Sequence, residues 1–327
     1  MRKVTFCLLS AAHVHAASYI RCLKRNPMAE VVGFYDADAG RARAFAAAEG
    51  IASYPSASRL LETRPDVAIV CSENTRHAHW VGLAARAGVD VLCEKPLGTD
   101  PGEMRGMIDA CRAAGVRLMT AMCNRYPHSF ADAVRAVRSG RIGEVAAVFA
   151  TNKGTMPGGW FTDRELSGGG CIVDHTVHVA DLMNVFFGAA PEEVYARAGH
   201  NLFGMDVEDC AVVTLRYPGG ALVTLDASWS RSEFFPYGRD LTLHFVGTRG
   251  SVRVDYFAES HSLYAKGRRA CDYYGEDKDQ MMMDDLVACR LEGREFGITG
   301  EDGMRCALVA EAAYRSLREG VPVALRT

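Results

Sequence analysis

From residue 3 to about residue 121 the chain alternates short apolar runs with stretches of helical periodicity. Runs this short and this continuously apolar read as strands of a parallel sheet covered on both faces. The pattern predicts strands over Val4–Leu9, Val31–Tyr35, Val67–Cys71, Val89–Cys93 and Arg117–Ala121. Between them it predicts helices over His13–Lys24, Ala39–Glu49, Ser56–Glu62, Thr75–Ala87 and Pro101–Ala114. This is the βαβ repeat of a doubly wound α/β fold. Gly50, Gly88 and Gly115 fall just past three of the helices, where a left-handed cap residue belongs.

Beyond Ala121 the period changes to two. Runs at Glu144–Thr151, Glu193–Ala198, Ala211–Tyr217, Ala221–Trp229, Leu241–Val246 and Ser251–Tyr256 are separated by turn signals such as Pro218-Gly219-Gly220. Helices are predicted near Asp279–Arg290 and Asp302–Glu319. The reading is an N-terminal parallel α/β domain over 1–121, followed over 122–327 by an α+β domain on a mainly antiparallel sheet. A chain of 327 residues has room for two such cores.

Composition changes this picture little. Apolar residues make up 49% and charged residues 24%, an ordinary globular balance. A formal charge of −3 offers no electrostatic case for nucleic acid or an anionic membrane as partner. The eleven cysteines are scattered without a C-x-x-C, as expected of buried thiols in a reducing compartment. The apolar run after Met1-Arg2-Lys3 is diluted by Thr5, Cys7 and Ser10, and reads as the first strand rather than a signal peptide. A cytoplasmic protein is expected.

Chemistry concentrates in three places. The strand Val91-Leu92-Cys93 stops abruptly at Glu94-Lys95-Pro96, which sets an acid–base pair at the carboxyl edge where parallel sheets bind ligands. After the first strand, Ser10-Ala11-Ala12-His13-Val14-His15 occupies the place of a phosphate-binding glycine turn and contains no glycine. Ser10 and Ala12 are small enough to leave the backbone accessible. Asp36 ends the second strand at the usual distance for an acid on ribose hydroxyls, which favours NAD over NADP, a preference moderated by Arg41 and Arg43. Ser72-Glu73-Asn74-Thr75-Arg76-His77 follows the third strand and belongs beside the same cofactor, with Asn74 as a helix cap. His13, His15, His77 and His79 have no carboxylate or cysteine at ligand spacing, so no metal is expected.

The third place is Gly168-Gly169-Gly170, leading into a helix from about Val173. Asp174 and His178 are then one turn apart on one face, and Asp181 can orient the His178 ring. A capping acid and a core histidine are the plain alternative. The second histidine, His175, and the glycine entry favour a general base.

These residues, together with Asn124-Arg125-Tyr126-Pro127, Trp229, Thr299-Gly300-Glu301-Asp302-Gly303 and Glu311-Ala312-Ala313-Tyr314-Arg315-Ser316, resemble the Gfo/Idh/MocA family of sugar and cyclitol dehydrogenases along nearly the whole chain. The resemblance implies an NAD(P)-binding Rossmann domain and hydride transfer between nicotinamide and a sugar, cyclitol or polyol. Lys95, Asp174 and His178 match the catalytic positions. Ser10, Ala12, His13, His15, Asp36, Ser72, Asn74, His77, Glu94 and Lys95 are the expected cofactor contacts. Lys95, Arg125, Trp160, Asp174, His175 and His178 are the expected substrate contacts. The glycine-free turn departs from the pattern, as does Thr176, where glycine often stands. Lys153, Arg164, Arg231 and Arg239 are candidates to meet an anionic group, and Val212, Leu215, Leu222 and Val223 to form a homodimer or homotetramer interface. Two other functions fit the same residues: a glycosidase or lyase that retains NAD through an oxidise–eliminate–reduce cycle, and a non-catalytic dinucleotide-binding regulator.

Overall fold

The computed structural model describes residues 2–265 and 268–325. They form two compact units, each drawn from three segments of the chain. The first takes residues 1–123, 165–168 and 278–304; the second takes 124–164, 169–277 and 305–327. After the division expected at 121 and 122 the chain therefore returns to the first unit twice, with 165–168 and with 278–304.

In the first unit five strands, β1 (Val4–Leu9), β2 (Ala29–Tyr35), β3 (Val67–Val70), β4 (Asp90–Cys93) and β5 (Leu118–Thr120), pair in the order β2-β1-β3-β4-β5, all in parallel. A single parallel bridge from Phe34 to Ser53 adds a rudimentary strand outside β2. With that bridge counted, the order reverses on either side of β1, as in dinucleotide-binding sheets, so the crevice for a ligand opens at the carboxyl ends of β1 and β3. The connecting helices are α1 (Ala16–Arg25), α2 (Ala39–Glu49), α3 (Ala57–Leu61), α4 (His77–Arg86) and α5 (Pro101–Ala113). Strands β3 and β4 are buried at every position, which is why β3, and β4 after Asp90, run apolar without alternation.

The second unit holds α6 (His128–Arg138), β6 (Val145–Gly154), α8 (Cys171–Phe187), β7 (Glu193–Gly199), β8 (Cys210–Arg216), β9 (Leu222–Asp226), β10 (Arg239–Gly247) and β11 (Gly250–Asp255); the short α7 (Arg164–Ser167), which precedes α8 in the chain, belongs to the first unit from Glu165 on. A hairpin of β12 (Ser260–Ala265) and β13 (Arg268–Tyr273) follows, and its polar sequence gave no period to find. After α9 (Lys278–Glu292) and α10 (Gly300–Glu319), β14 (Val323–Ala324) closes the large sheet in the order β11-β10-β6-β9-β8-β7-β14. Its pairings are antiparallel except β6 with β9. One face packs on α8 around Trp229, Tyr217 and Phe245, all fully buried. Among the described residues no helix is long and apolar enough to cross a membrane.

Candidate active site

The end of β4 is the first unit's chemical edge. Glu94 is fully buried, its Oε2 accepts the backbone N–H of Lys95 at 2.9 Å, and its Oε1 lies 3.0 Å from His15 Nδ1 and 3.6 Å from His13 Nδ1. Burial alone would raise the carboxyl's pKa, but His13, His15 and Lys95 outweigh it and hold the group well below the usual carboxylate range. Glu94 is thus a permanent anion under the Lys95 backbone. The following Lys95–Pro96 bond is cis, and Lys95 itself is buried.

His77 supports this edge from below. Its Nδ1 lies 3.0 Å from Pro96 O and 3.2 Å from Leu97 O, and its Nε2 lies 3.3 Å from Ser72 O. Burial pushes its pKa down, so the ring is neutral at pH 7. His77 therefore ties the loop after β4 to the loop after β3, with Ser72 buried between them. Asn74 does not cap α4, which begins at His77 behind a short 3₁₀ turn; its Nδ2 instead donates to Ser167 O at 2.9 Å.

The turn after β1 keeps the backbone of a glycine turn without the glycine. Ser10 has φ +68°, and α1 starts at Ala16 rather than His13, which leaves His13, Val14 and His15 in the turn itself. The Ala11 N–H donates to Asp36 Oδ2 at 2.7 Å, with the Ser10 hydroxyl at 3.3 Å. The same carboxylate takes Arg41 Nε at 2.8 Å and Nη2 at 2.9 Å, and the Asp38 N–H at 2.8 Å. The expected open acid for ribose hydroxyls is therefore already filled. The histidine argument is corrected as well: Glu94 supplies the missing carboxylate, and its donor atom lies with those of His13 and His15 within 4.8 Å of one another. The spacing from His15 is that of a hydrogen bond, and His13 Nδ1 already accepts the His15 N–H at 3.2 Å.

In the second unit α8 begins at Cys171, two residues earlier than predicted, and Asp174 stands in its first turn. Asp174 Oδ2 accepts Trp229 Nε1–H at 3.0 Å and lies 3.3 Å from His175 Nε2, while His175 Nδ1 lies 3.0 Å from Ala227 O. Each ring nitrogen of His175 thus faces an oxygen. Gly154 leaves room beside it, since a Cβ there would come within 3.1 Å of His175 Cε1. His178 follows one turn after Asp174 and is buried. Asp181, expected to orient His178, holds Arg125 through Nε at 2.7 Å and Nη2 at 2.5 Å. That ion pair also engages Arg125, an expected substrate contact.

Glu208 was not foreseen. It is buried, and its Oε1 accepts Gly170 N–H at 2.9 Å, Ile172 N–H at 3.1 Å and the Tyr314 hydroxyl at 2.6 Å. A carboxylate that closes the open N–H groups of α8 fixes where Asp174, His175 and His178 begin. No sequence signal marks it, because it comes from a loop 38 residues away from Gly170.

Other candidates fall elsewhere. Trp160 sits in a short 3₁₀ turn and stacks on Phe161, ring centroids 3.9 Å apart. Lys153 alternates to the sheet face opposite Asn152 and Gly154, which meet His175, and pairs with Asp226 at 3.5 Å and Asp240 at 4.0 Å. Arg231 pairs with Asp240 and covers the Phe235 ring. Arg164 donates to Asp206 O, and the Arg239 guanidinium stands over the Phe257 ring.

Residues 11–122 match an oxidoreductase family with an NAD-binding Rossmann fold, and residues 130–253 match the GFO/IDH/MocA C-terminal domain. The chain belongs to the Gfo/Idh/MocA family of oxidoreductases. It is similar to D-glucoside 3-dehydrogenase of Escherichia coli, with 32% identity over 67% of this chain and 67% of that one. Myo-inositol 2-dehydrogenase of Thermotoga maritima is 28% identical over 82% of each chain. Among solved structures, GenD2 from gentamicin A biosynthesis, in complex with NAD, shares the fold at a TM-score of 0.90 and 23% identity, covering 100% of this chain and 97% of its own.

Proposed function

We propose that this oxidoreductase moves a hydride between a nicotinamide dinucleotide and a carbinol carbon of a neutral sugar, cyclitol or polyol. The observation that carries the reading is the Trp229–Asp174–His175 arrangement, one helical turn before His178 on an entry that Glu208 fixes. Small side chains and the left-handed Ser10 leave the first turn shaped for a dinucleotide, which when bound supplies the hydride acceptor. In this reading His178 takes the substrate hydroxyl proton and Asp174 orients the proton-transfer site. Lys95 donates to the same oxygen and stabilises its developing charge. His175, bound to Asp174, joins the proton path.

Neutral substrates are favoured because the basic residues that would meet an anion are engaged within the protein: Lys153 with two acids, Arg231 with Asp240 and Arg125 with Asp181. The names of the two dehydrogenase relatives point the same way. A screen of neutral polyols and of sugar acids, read by nicotinamide absorbance, tests this, and turnover confined to sugar acids would break it. In Lys95→Ala and His178→Ala we expect turnover to fall by about a hundredfold or more. Losses within a few-fold would remove the role assignments. If NAD is retained through a lyase cycle instead, denatured protein releases NAD and no NADH accumulates with product.

The open face of the large sheet supports a homodimer or homotetramer. Val212 and Leu222 are nearly half exposed and Phe149 more so, whereas Leu215 and Val223 alternate into the core. A monomeric mass in solution would dismiss that interface. Eleven cysteines, nine of them buried and none in a disulfide among the described residues, agree with a reducing cytoplasmic setting.

A further inference from the structure

The pair at the end of β2 carries a consequence for which dinucleotide is taken. In an NAD-selective site the acid after the second strand offers free oxygens to the ribose diol and repels a 2′-phosphate. Here the Asp36 side chain is buried, and Asp38 N–H, Ala11 N–H, the Ser10 hydroxyl and two nitrogens of Arg41 meet its two oxygens. Little acceptor capacity is left for a ribose hydroxyl. The charge is balanced too: Arg41 also lies 3.6 Å from Glu73, which Arg76 approaches at 3.5 Å, so two acids face two guanidinium groups.

Arg41 is partly exposed, at 31% of its side chain. Its Nε and Nη2 are turned to Asp36, and among the described residues Nη1 donates to no protein acceptor. A guanidinium held by one fork and open on the other edge is a donor set for a phosphate monoester. We propose that Arg41 makes the adenosine end of this site accept a 2′-phosphate, so that the chain binds NADP(H) about as readily as NAD(H). The proposal rests on the dinucleotide-binding reading of the first unit and deepens it.

Binding of NAD⁺ and NADP⁺ to the full chain by calorimetry, without substrate, tests it in wild type and Arg41→Ala. For wild type we expect the two dissociation constants to agree within about tenfold. In Arg41→Ala the ratio of the NADP⁺ to the NAD⁺ constant should rise by about tenfold, the worth of one charge-assisted contact. NAD⁺ should bind that variant as well as before or better, because Asp36 is released to the ribose. Displacement by 2′,5′-ADP and 5′-AMP isolates the adenosine end, with preference for 2′,5′-ADP expected in wild type and lost in the variant. A ratio that moves by less than about threefold on removing Arg41, or wild type that binds NAD⁺ alone, overturns the assignment while leaving the enzyme reading intact. Binding of neither dinucleotide overturns both. Arg41→Lys guards against a folding artefact: it keeps the charge and loses the fork, and should fall between the other two.

Discussion

Two entries into helices in this protein solve one problem in opposite ways. The turn after β1 holds no glycine, yet Ser10 adopts φ +68° there, a conformation that costs a non-glycine residue about 1 kcal/mol or more. Its hydroxyl and the next N–H both reach Asp36, which offsets the cost. The turn before α8 holds three glycines, and at Gly169 and Gly170 the need is for room. A Cβ on Gly169 would come within 1.9 Å of the Tyr314 hydroxyl oxygen, and one on Gly170 within 2.0 Å of Glu208 O. A backbone angle can be adopted by serine with help. Space occupied by a carbonyl cannot be shared.

Substitutions sharpen this contrast. Gly170→Ala should cost more than about 4 kcal/mol or prevent folding, because the clash is with backbone and α8 must shift. Denaturant titration reads it, and a loss under 1 kcal/mol would mean that the entry is soft. Next in size is Glu208→Ala, which orphans the Ile172 N–H and the Tyr314 hydroxyl and leaves the Gly170 N–H only its longer bond to the Tyr314 oxygen at 3.2 Å, at about 3 kcal/mol. Glu208→Gln keeps an acceptor and should cost less.

His77 tests the first unit by pH. Burial holds its folded-state pKa below the ordinary imidazole value, so the unfolded chain takes up a proton that the folded one refuses. Stability is therefore complete above about pH 6.5 and falls as pH drops below it, by at most about 1.4 kcal/mol per unit. Between pH 7.5 and 5.5, His77→Gln should show a shallower fall in melting temperature than wild type; parallel curves would show that His77 does not set the slope. The smallest effect belongs to Ser10→Gly, which relieves the angle and loses the hydroxyl contact, and should leave stability within about 1 kcal/mol of wild type.

Much of this architecture was legible because strand burial writes itself as apolar runs, and β1 to β5 all fall where the period placed them. The edge at Glu94-Lys95-Pro96 was legible for the same reason, since a strand that stops at charge announces its own end. What was hidden depends on residues far apart in sequence. Asp36 looked available until Arg41 folded back on it, and the hold of Asp181 on Arg125, 56 positions away, was not foreseen. Spacing on one helix predicts which side chains share a face. It does not predict which neighbour wins them.

The interleaving of the two units bears on how the protein is made. Helix α9, whose Met282, Met283, Leu286 and Val287 are buried and whose Asp279 meets Ser18 of α1 at 2.6 Å, lies more than two hundred residues downstream of the strand it helps to cover. On the ribosome the first sheet must emerge and wait, one flank unclothed, until nearly the whole polypeptide has been synthesised. A fragment cut after the fifth strand would carry that bare flank permanently, and would be a poor stand-in for the nucleotide-binding half.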